Sequence, residues 1–392
     1  MLFCICQLKA EYLVANITDV MKYRQVLEAM RTQILNGAFA GNRRLPTRSE
    51  IGKQFGVGMA TVQKALDALT RDGFLRARPG AGTYVVEYPP HECHFGLVLP
   101  HEAYSSSQIH DDAVRQAAKE LENGTTIRFR QYGISNAVQY RQGVDRLTDD
   151  VTNHRLAGII SPFFFGDLLN TPVCKTPGMP KVFCAEVDAD LTFSVGPGEW
   201  MQPALEYVLS RGCRRIAHLQ LEVPGMESPQ EFAHRLQRMG LETQPYWVQR
   251  VTIGHSASPA ANLVHLLMQL EGEKRPDALV VYDDTLLEPV VAGLLSCNIK
   301  VPADLEVLSL ANFPSPRPEG VPVRRLGYDW FELLSKSIEV IRLARQGQRP
   351  EQLLIPAVFE EDLPVRRHVG ASQEDVHIHW GERFAQGLTA NS

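Results

Sequence analysis

None of the seven cysteines of this chain forms a CxxC pair, and no His/Cys spacing suits zinc. They stand apart at Cys4, Cys6, Cys93, Cys174, Cys184, Cys213 and Cys297. An odd number of scattered thiols argues against a disulfide-stapled secreted fold and fits a reducing cytoplasm. No apolar run approaches the roughly 18 residues of a membrane span, so no membrane partner is expected. The N-terminus, MLFCICQLKAEYLVANITDV, lacks a basic leader and a small-residue cleavage site, and so does not read as a signal peptide. Residues 1–16 are expected to be an extension, with Met21 as an alternative start. G-x-S-x-G, the P-loop, a Rossmann G-x-G-x-x-G after a first strand and HExxH are all missing. Their absence removes the common hydrolase, nucleotide-binding and metalloprotease chemistries. The chain is therefore not expected to be an enzyme, and no catalytic residue, cofactor or metal is assigned.

Acidic charge is in excess overall, at −5, but is unevenly placed. Residues 17–88 hold eleven Lys and Arg against six Asp and Glu, a local net of +5, and residues 1–16 are neutral, which leaves −10 on the remainder. A basic head on an acidic body is expected when only the head meets phosphates.

That head contains LPTRSEIGKQFGVGMATVQKALDALTRDGFL, Leu45 to Leu75. Thr47-Arg48-Ser49-Glu50 fits a capping box. The helix it opens would bury Ile51 and Phe55 and end at Gly56-Val57-Gly58, where Gly56 is free to take positive φ. A second helix is expected over Met59–Arg71, burying Val62, Ala65, Leu66 and Leu69 and ending at Asp72-Gly73. Two helices on a glycine turn form either a helical hairpin inside a core or a helix-turn-helix. FLRARPGAGTYVV decides for the second, because it reads as strand, Gly-rich tip and strand with Arg76 and Arg78 at its mouth. A helix-turn-helix followed by a basic hairpin is a winged helix, whose second helix can enter a major groove. An earlier helix, Asp19 to Asn36, carries the stripe Tyr23, Val26, Leu27, Met30, Ile34 and Leu35.

From Tyr23 to Val86 the chain resembles the N-terminal domain of the GntR family of bacterial winged-helix regulators. The pattern runs from Y-x-x-V through L-P-T and G-V to G-x-G-T-Y-V. The resemblance implies double-stranded operator DNA as partner and a homodimer. It places the DNA contacts at Arg44, Thr47, Arg48, Ser49, Met59, Ala60, Thr61, Gln63, Lys64, Arg76, Arg78, Gly80, Gly82 and Thr83. Where the family carries arginines this chain has Ser49, Met59 and Gln63, with Arg48 one place away. Gln63 either reads adenine bidentately or faces solvent while phosphate contacts dominate.

EYPPHECH, with residues 89–94 as linker, reads as an extended spacer. Beyond it strands and helices alternate. Strands are expected at Phe95–Leu99, Ile127–Tyr132, Ala157–Ile160, Lys181–Cys184, Arg215–Leu219, Ala278–Tyr282, Glu306–Leu310 and Arg325–Gly327. Helices between them include Val138–Asp149, Pro229–Met239 and Thr285–Ser296. This is an α/β pattern with parallel sheets, and its length suits two lobes. Residues 362–392 are expected to be a loosely ordered tail.

Residues 95–361 resemble the effector domain of LacI/GalR-type regulators, a type I periplasmic-binding-protein-like fold. The resemblance rests on YVLSRGCRRIAHL, on RPDALVVYDDTLLEPVVAGLLSCNIKVPADLEVLSL and on VRRLGYDWFELLSKSIEVI. It implies a small carbohydrate effector between the lobes, at the C-terminal ends of strands. The candidates are His101, Glu102, Tyr104, Ser105, Phe163, Phe164, Glu186, Tyr282, Asp283, Asp284, Asn312 and Phe313. Asp284 aligns with the family's Asp, or alternatively caps the helix at Thr285. Ser228 falls where the family has a sugar-clamping arginine, and Glu199 and Glu231 are candidates to compensate. The expected protein is a cytoplasmic, ligand-controlled repressor. Its rivals are a ligand-free dimerisation scaffold and a sugar-modifying enzyme with a DNA-binding appendage.

Overall fold

The computed structural model describes residues 20–39, 41–100, 108–134, 142–162, 171–184, 192–222, 227–252 and 258–364. The extension 1–16 and residues 365–392 of the tail lie outside them.

Residues 20–35 are helical (α1) and bury Val26, Leu27, Met30 and Ile34. Thr47 caps α2 (Arg48–Phe55) in the expected box, accepting from the Glu50 amide at 3.3 Å while the Glu50 carboxylate accepts from the Thr47 amide at 2.7 Å. Gly56 ends α2 in the left-handed region, φ 63°, where a Cβ would be strained. Helix α3 (Met59–Arg71) buries Val62, Ala65, Leu66 and Leu69 on one stripe. Strands β1 (Leu75–Arg78) and β2 (Gly82–Val85) pair antiparallel as the wing. Phe74, Leu75 and Val85 join the helices in one core.

The 89–94 spacer is not extended. Pro90–Cys93 is a helical turn with Pro90 at its first position, where the missing N–H costs nothing. His91 and Cys93 are buried, and the His91 ring stacks on Phe74 at 5.8 Å.

The remaining strands form two sheets. One has the order β13-β7-β6-β5-β3-β4, made of Leu353–Ile355, Thr192–Pro197, Lys181–Phe183, Gly158–Ser161, His94–Pro100 and Arg128–Ile134. The other has the order β14-β12-β11-β10-β8-β9, made of Val358–Phe359, Arg324–Asp329, Glu306–Phe313, Ala278–Val281, Ile216–Leu221 and Val248–Val251. In the second sheet β8 through β12 run parallel and β14 is an antiparallel edge. Helices α4 (Gln108–Glu122), α5 (Gln142–Thr152), α6 (Met201–Ser210), α7 (Pro229–Arg238), α8 (Ser258–Met268), α9 (Leu287–Ser296) and α10 (Trp330–Arg345) connect the strands. Strands β7, β9, β13 and β14 were not expected from the sequence; β9, β13 and β14 are short sheet edges, and β7 lies next to one. Helix α9 begins at Leu287 rather than Thr285, after a 3-10 turn at Asp284–Leu286. A helix from Thr285 would need an amide hydrogen on Pro289, which has none.

Contacts gather the described residues into two compact units. One holds those up to 96 with 126–130 and 144–159, and the other holds the rest. In the first, Arg31 of α1 is 1% exposed. Its Nη2 donates to Asp72 at 2.9 Å and to the Asn153 side-chain oxygen at 3.2 Å. Asp72, the residue that ends α3, also faces Arg155 at 3.4 Å, and Arg155 pairs with Asp150 at 2.9 Å.

Candidate nucleic-acid interface and ligand site

The outer face of α3 shows Met59, 64% exposed, with Ala60, Lys64 and Asp67. Ser49 is exposed on α2. Thr61 is a correction. It was expected on this face but is 7% exposed, because it shares the i, i+4, i+7 row of Ala65 and Ala68 and turns into the core. The Thr47 hydroxyl is engaged with Glu50, so it serves the helix start. Those same hydrogen bonds hold the Glu50 carboxyl below its ordinary range.

Arg48 Nη1 donates to Gln63 Oε1 at 2.6 Å, and Gln63 Nε2 donates to Asp67 Oδ1 at 2.7 Å. On the wing, the Arg78 guanidinium lies 4.7 Å over the Tyr84 ring, and Arg76 hydrogen-bonds Asn42. Arg44 bridges Tyr84, and the Thr83 carbonyl accepts from the Leu45 amide at 2.8 Å. Gly80 and Gly82 both have positive φ, 73° and 113°. A Cβ on Gly82 would sit 2.8 Å from Arg44 Nε. Gly82→Ala is expected to strain the wing by about 1–3 kcal/mol and to displace Arg44; a lower melting temperature together with weakened DNA binding would show both.

The second sheet sets the other site. Strand β8 lies between β9 and β10, so its topological switch point is at β8/β10, where ligands of open parallel sheets collect at the carboxyl ends. Tyr282, Asp283 and Asp284 follow β10 there. The helix cap is Asp283, not Asp284: its carboxylate accepts from the Thr285 amide at 2.8 Å. Burial raises the Asp283 carboxyl. Asp284 is 4% exposed, and its Oδ2 accepts from the Asn312 amide at 3.0 Å and from Asn312 Nδ2 at 3.1 Å. Its Oδ1 is buried with no partner among the described residues. Burial, then the neighbouring Asp283 charge, push the Asp284 carboxyl up to about 6.

Asn312 also accepts from Trp330 Nε1 at 3.0 Å, so its side-chain amide holds Asp284 and Trp330 rather than standing open to a ligand. Trp330 meets the His110 ring edge-on at 4.6 Å. Phe313 is buried against the Arg325 guanidinium, 5.1 Å away, and offers no open stacking face.

Tyr282 packs 5.1 Å from Trp200 and 6.2 Å from His218. Ser228 and Glu231 are corrections. They form the capping box of α7, with the Ser228 amide donating to Glu231 at 2.7 Å, so Glu231 turns back on the helix start. Arg235 donates to Glu227 at 2.9 Å and to Glu199 at 3.3 Å. His218, stacked on Phe232 at 4.3 Å, is buried and held neutral, its pKa pushed down to about 3 by burial and then by Arg250. The candidates His101, Glu102, Tyr104, Ser105, Phe163, Phe164 and Glu186 lie outside the described residues.

No helix among the described residues is long and apolar enough to cross a membrane. Residues 22–85 match the family of bacterial regulatory proteins, gntR family, and residues 205–356 match a periplasmic binding protein-like domain. An arabinose metabolism transcriptional repressor of Halalkalibacterium halodurans is 21% identical over 90% of this chain and 98% of its own length. A probable rhizopine catabolism regulatory protein, MocR of Rhizobium meliloti, is 39% identical over 18% of this chain, only 15% of its own length. The fold is also that of a LacI family transcriptional regulator from Lactobacillus casei solved with bound sucrose: TM-score 0.51, 18% identity, 68% of this chain and 98% of that one. The chain thus joins a GntR-type helix-turn-helix domain at its N-terminus to a periplasmic-binding-protein-like domain, and is a transcriptional regulator of that two-part kind.

Proposed function

We propose that the protein is a cytoplasmic, homodimeric repressor. Residues 17–88 bind a near-palindromic double-stranded operator, and residues 95–361 dimerise and hold a small carbohydrate that sets operator affinity. Asp284 is the observation that carries the ligand half. A carboxylate this buried must find donors, and one of its oxygens lacks any among the described residues. A polyhydroxylated ligand supplies them. Its neighbours favour an uncharged or amino sugar over a phosphorylated or carboxylated one. Asp283 adds a carboxylate, Arg325, whose charge acts on Asp284, is paired with Glu360, and Arg235, beside Tyr282, is engaged by Glu227 and Glu199. The names of the relatives, which include a repressor of arabinose metabolism, agree with a sugar. Ligand can shift DNA binding only by its differential affinity for two arrangements of the protein.

Thermal-shift titration with neutral, amino, phosphorylated and carboxylated sugars tests this. A saturable upward shift with a neutral or amino sugar supports the sensor. Silence from every sugar favours a ligand-free dimerisation scaffold, and turnover would favour an enzyme. For the head, binding is expected to weaken steeply with salt. Arg78→Ala, losing one phosphate contact, should lower the log–log salt slope by about one. An unchanged slope would remove Arg78 from the phosphate contacts.

A further inference from the structure

Gln63 was expected to read adenine with its own amide, but both ends of that amide are already bonded. Oε1 accepts from Arg48 and Nε2 donates to Asp67. The chemistry allows only this orientation, because guanidinium is donor-only and carboxylate acceptor-only. Bidentate contact with adenine would have to use the one remaining Oε1 lone pair and the one remaining Nε2 hydrogen, with the amide plane held by these two bonds. Arg48, in contrast, uses only one Nη1 hydrogen among the described residues. Among the described residues no hydrogen bond or ion pair engages its Nε or Nη2. Those two groups form one edge of the guanidinium, with parallel N–H bonds that match guanine O6 and N7.

Building on the DNA-binding assignment, we propose that Arg48, not Gln63, is the base reader. Gln63 is a positioning residue that fixes the Arg48 guanidinium, and Asp67 fixes Gln63. The base read is guanine, one per half-site. The Arg48 chain starts at the first residue of α2, and Gln63 and Asp67 lie one turn apart on α3, so the relay crosses the helix-turn-helix. It restores, from a different helix, the arginine that α3 lacks at its own start.

The experiment is in vitro selection from randomised duplexes with the full chain and its variants, with melting temperatures as a control for folding. The wild type is expected to select a guanine that Arg48→Ala loses, with discrimination at that position falling about tenfold. Gln63→Ala should weaken preference at the same position. Gln63→Glu still accepts from Arg48 but loses its donor to Asp67 and faces that carboxylate, so it should relax the preference as well. Asp67→Asn should keep it and Asp67→Ala should relax it. The double variant Arg48→Ala/Gln63→Ala should match Arg48→Ala alone at that position. Loss of an adenine in Gln63→Ala at a position untouched by Arg48→Ala would overturn the relay and restore direct readout by Gln63. Independent, additive effects would overturn it too. A wild-type chain selecting no motif even at low salt would overturn the DNA-binding assignment itself.

Discussion

Replacing Asp72 by alanine is expected to destabilise the head by about 3–5 kcal/mol, the cost of leaving a buried charge without its partner. The Arg31 guanidinium is 1% exposed and its Nη2 reaches Asp72 at 2.9 Å. Its remaining acceptors are Glu28, whose side chain is 59% exposed, and the neutral Asn153. Neither replaces a buried carboxylate. Arg155 loses the same partner but keeps Asp150, so most of the cost falls on Arg31. Asp72→Asn keeps an acceptor without the charge and should cost less. Arg31→Met combined with Asp72→Ala should cost less than the sum of the two changes, because the first removes the charge that the second strands. Native-state hydrogen exchange in α1 and α3 reads the loss locally. A fall below about 1 kcal/mol would place the pair with screened surface ion pairs instead.

Asp284→Asn is expected to stabilise the ligand-free protein while weakening its response to ligand. Folding raises this carboxyl from 3.8 to about 6, so between those values the folded chain holds a proton that the unfolded chain releases. Wild-type stability from this group therefore falls as pH rises through about 4 to 6 and stays low above it. At 1.36 kcal/mol per pKa unit the difference reaches about 3 kcal/mol at pH 7.5 and vanishes near pH 4. Asparagine carries no such penalty, and its side-chain oxygen still accepts from Asn312. The lost charge-assisted hydrogen bond should weaken the operator-release response to an active sugar about tenfold. Melting curves of both proteins at pH 4 and 7.5, with a ligand titration at 7.5, test the two halves. A stability difference that ignores pH would mean that Asp284 acts through packing, and an undiminished response would remove it from the ligand site.

The head was legible almost to the residue because its punctuation is local. A capping box, a positive-φ glycine and a single apolar stripe each fix structure within a few residues. Thr61 was misplaced because the family resemblance put it among the DNA contacts, whereas the helical row it shares with Ala65 and Ala68 turns it inward. Pro89-Pro90 reads as a spacer in isolation, and only burial against Phe74 shows the turn. The parallel strands were legible as apolar runs. β9 and β13 were not, since edge strands of three or four residues carry little pattern. After β10 the sequence singled out the acidic pair but not the part each carboxylate plays. That Asp283 caps and Asp284 faces Asn312 depends on the path of β11, a strand over twenty residues away.

The Arg31–Asp72–Arg155 cluster bears on how such regulators can be recombined. Its acceptors and donors come from α1, from the end of α3 and from residues 153–155, a stretch far along the chain. The head is therefore not a self-contained cassette. A chimera grafting residues 20–88 onto a foreign effector domain would carry Arg31 and Asp72 but leave behind Asn153 and Arg155. The recipient would need an acceptor and a cation at equivalent positions, or Arg31 and Asp72 rewritten as an apolar pair, before a transplanted specificity could function on its new host.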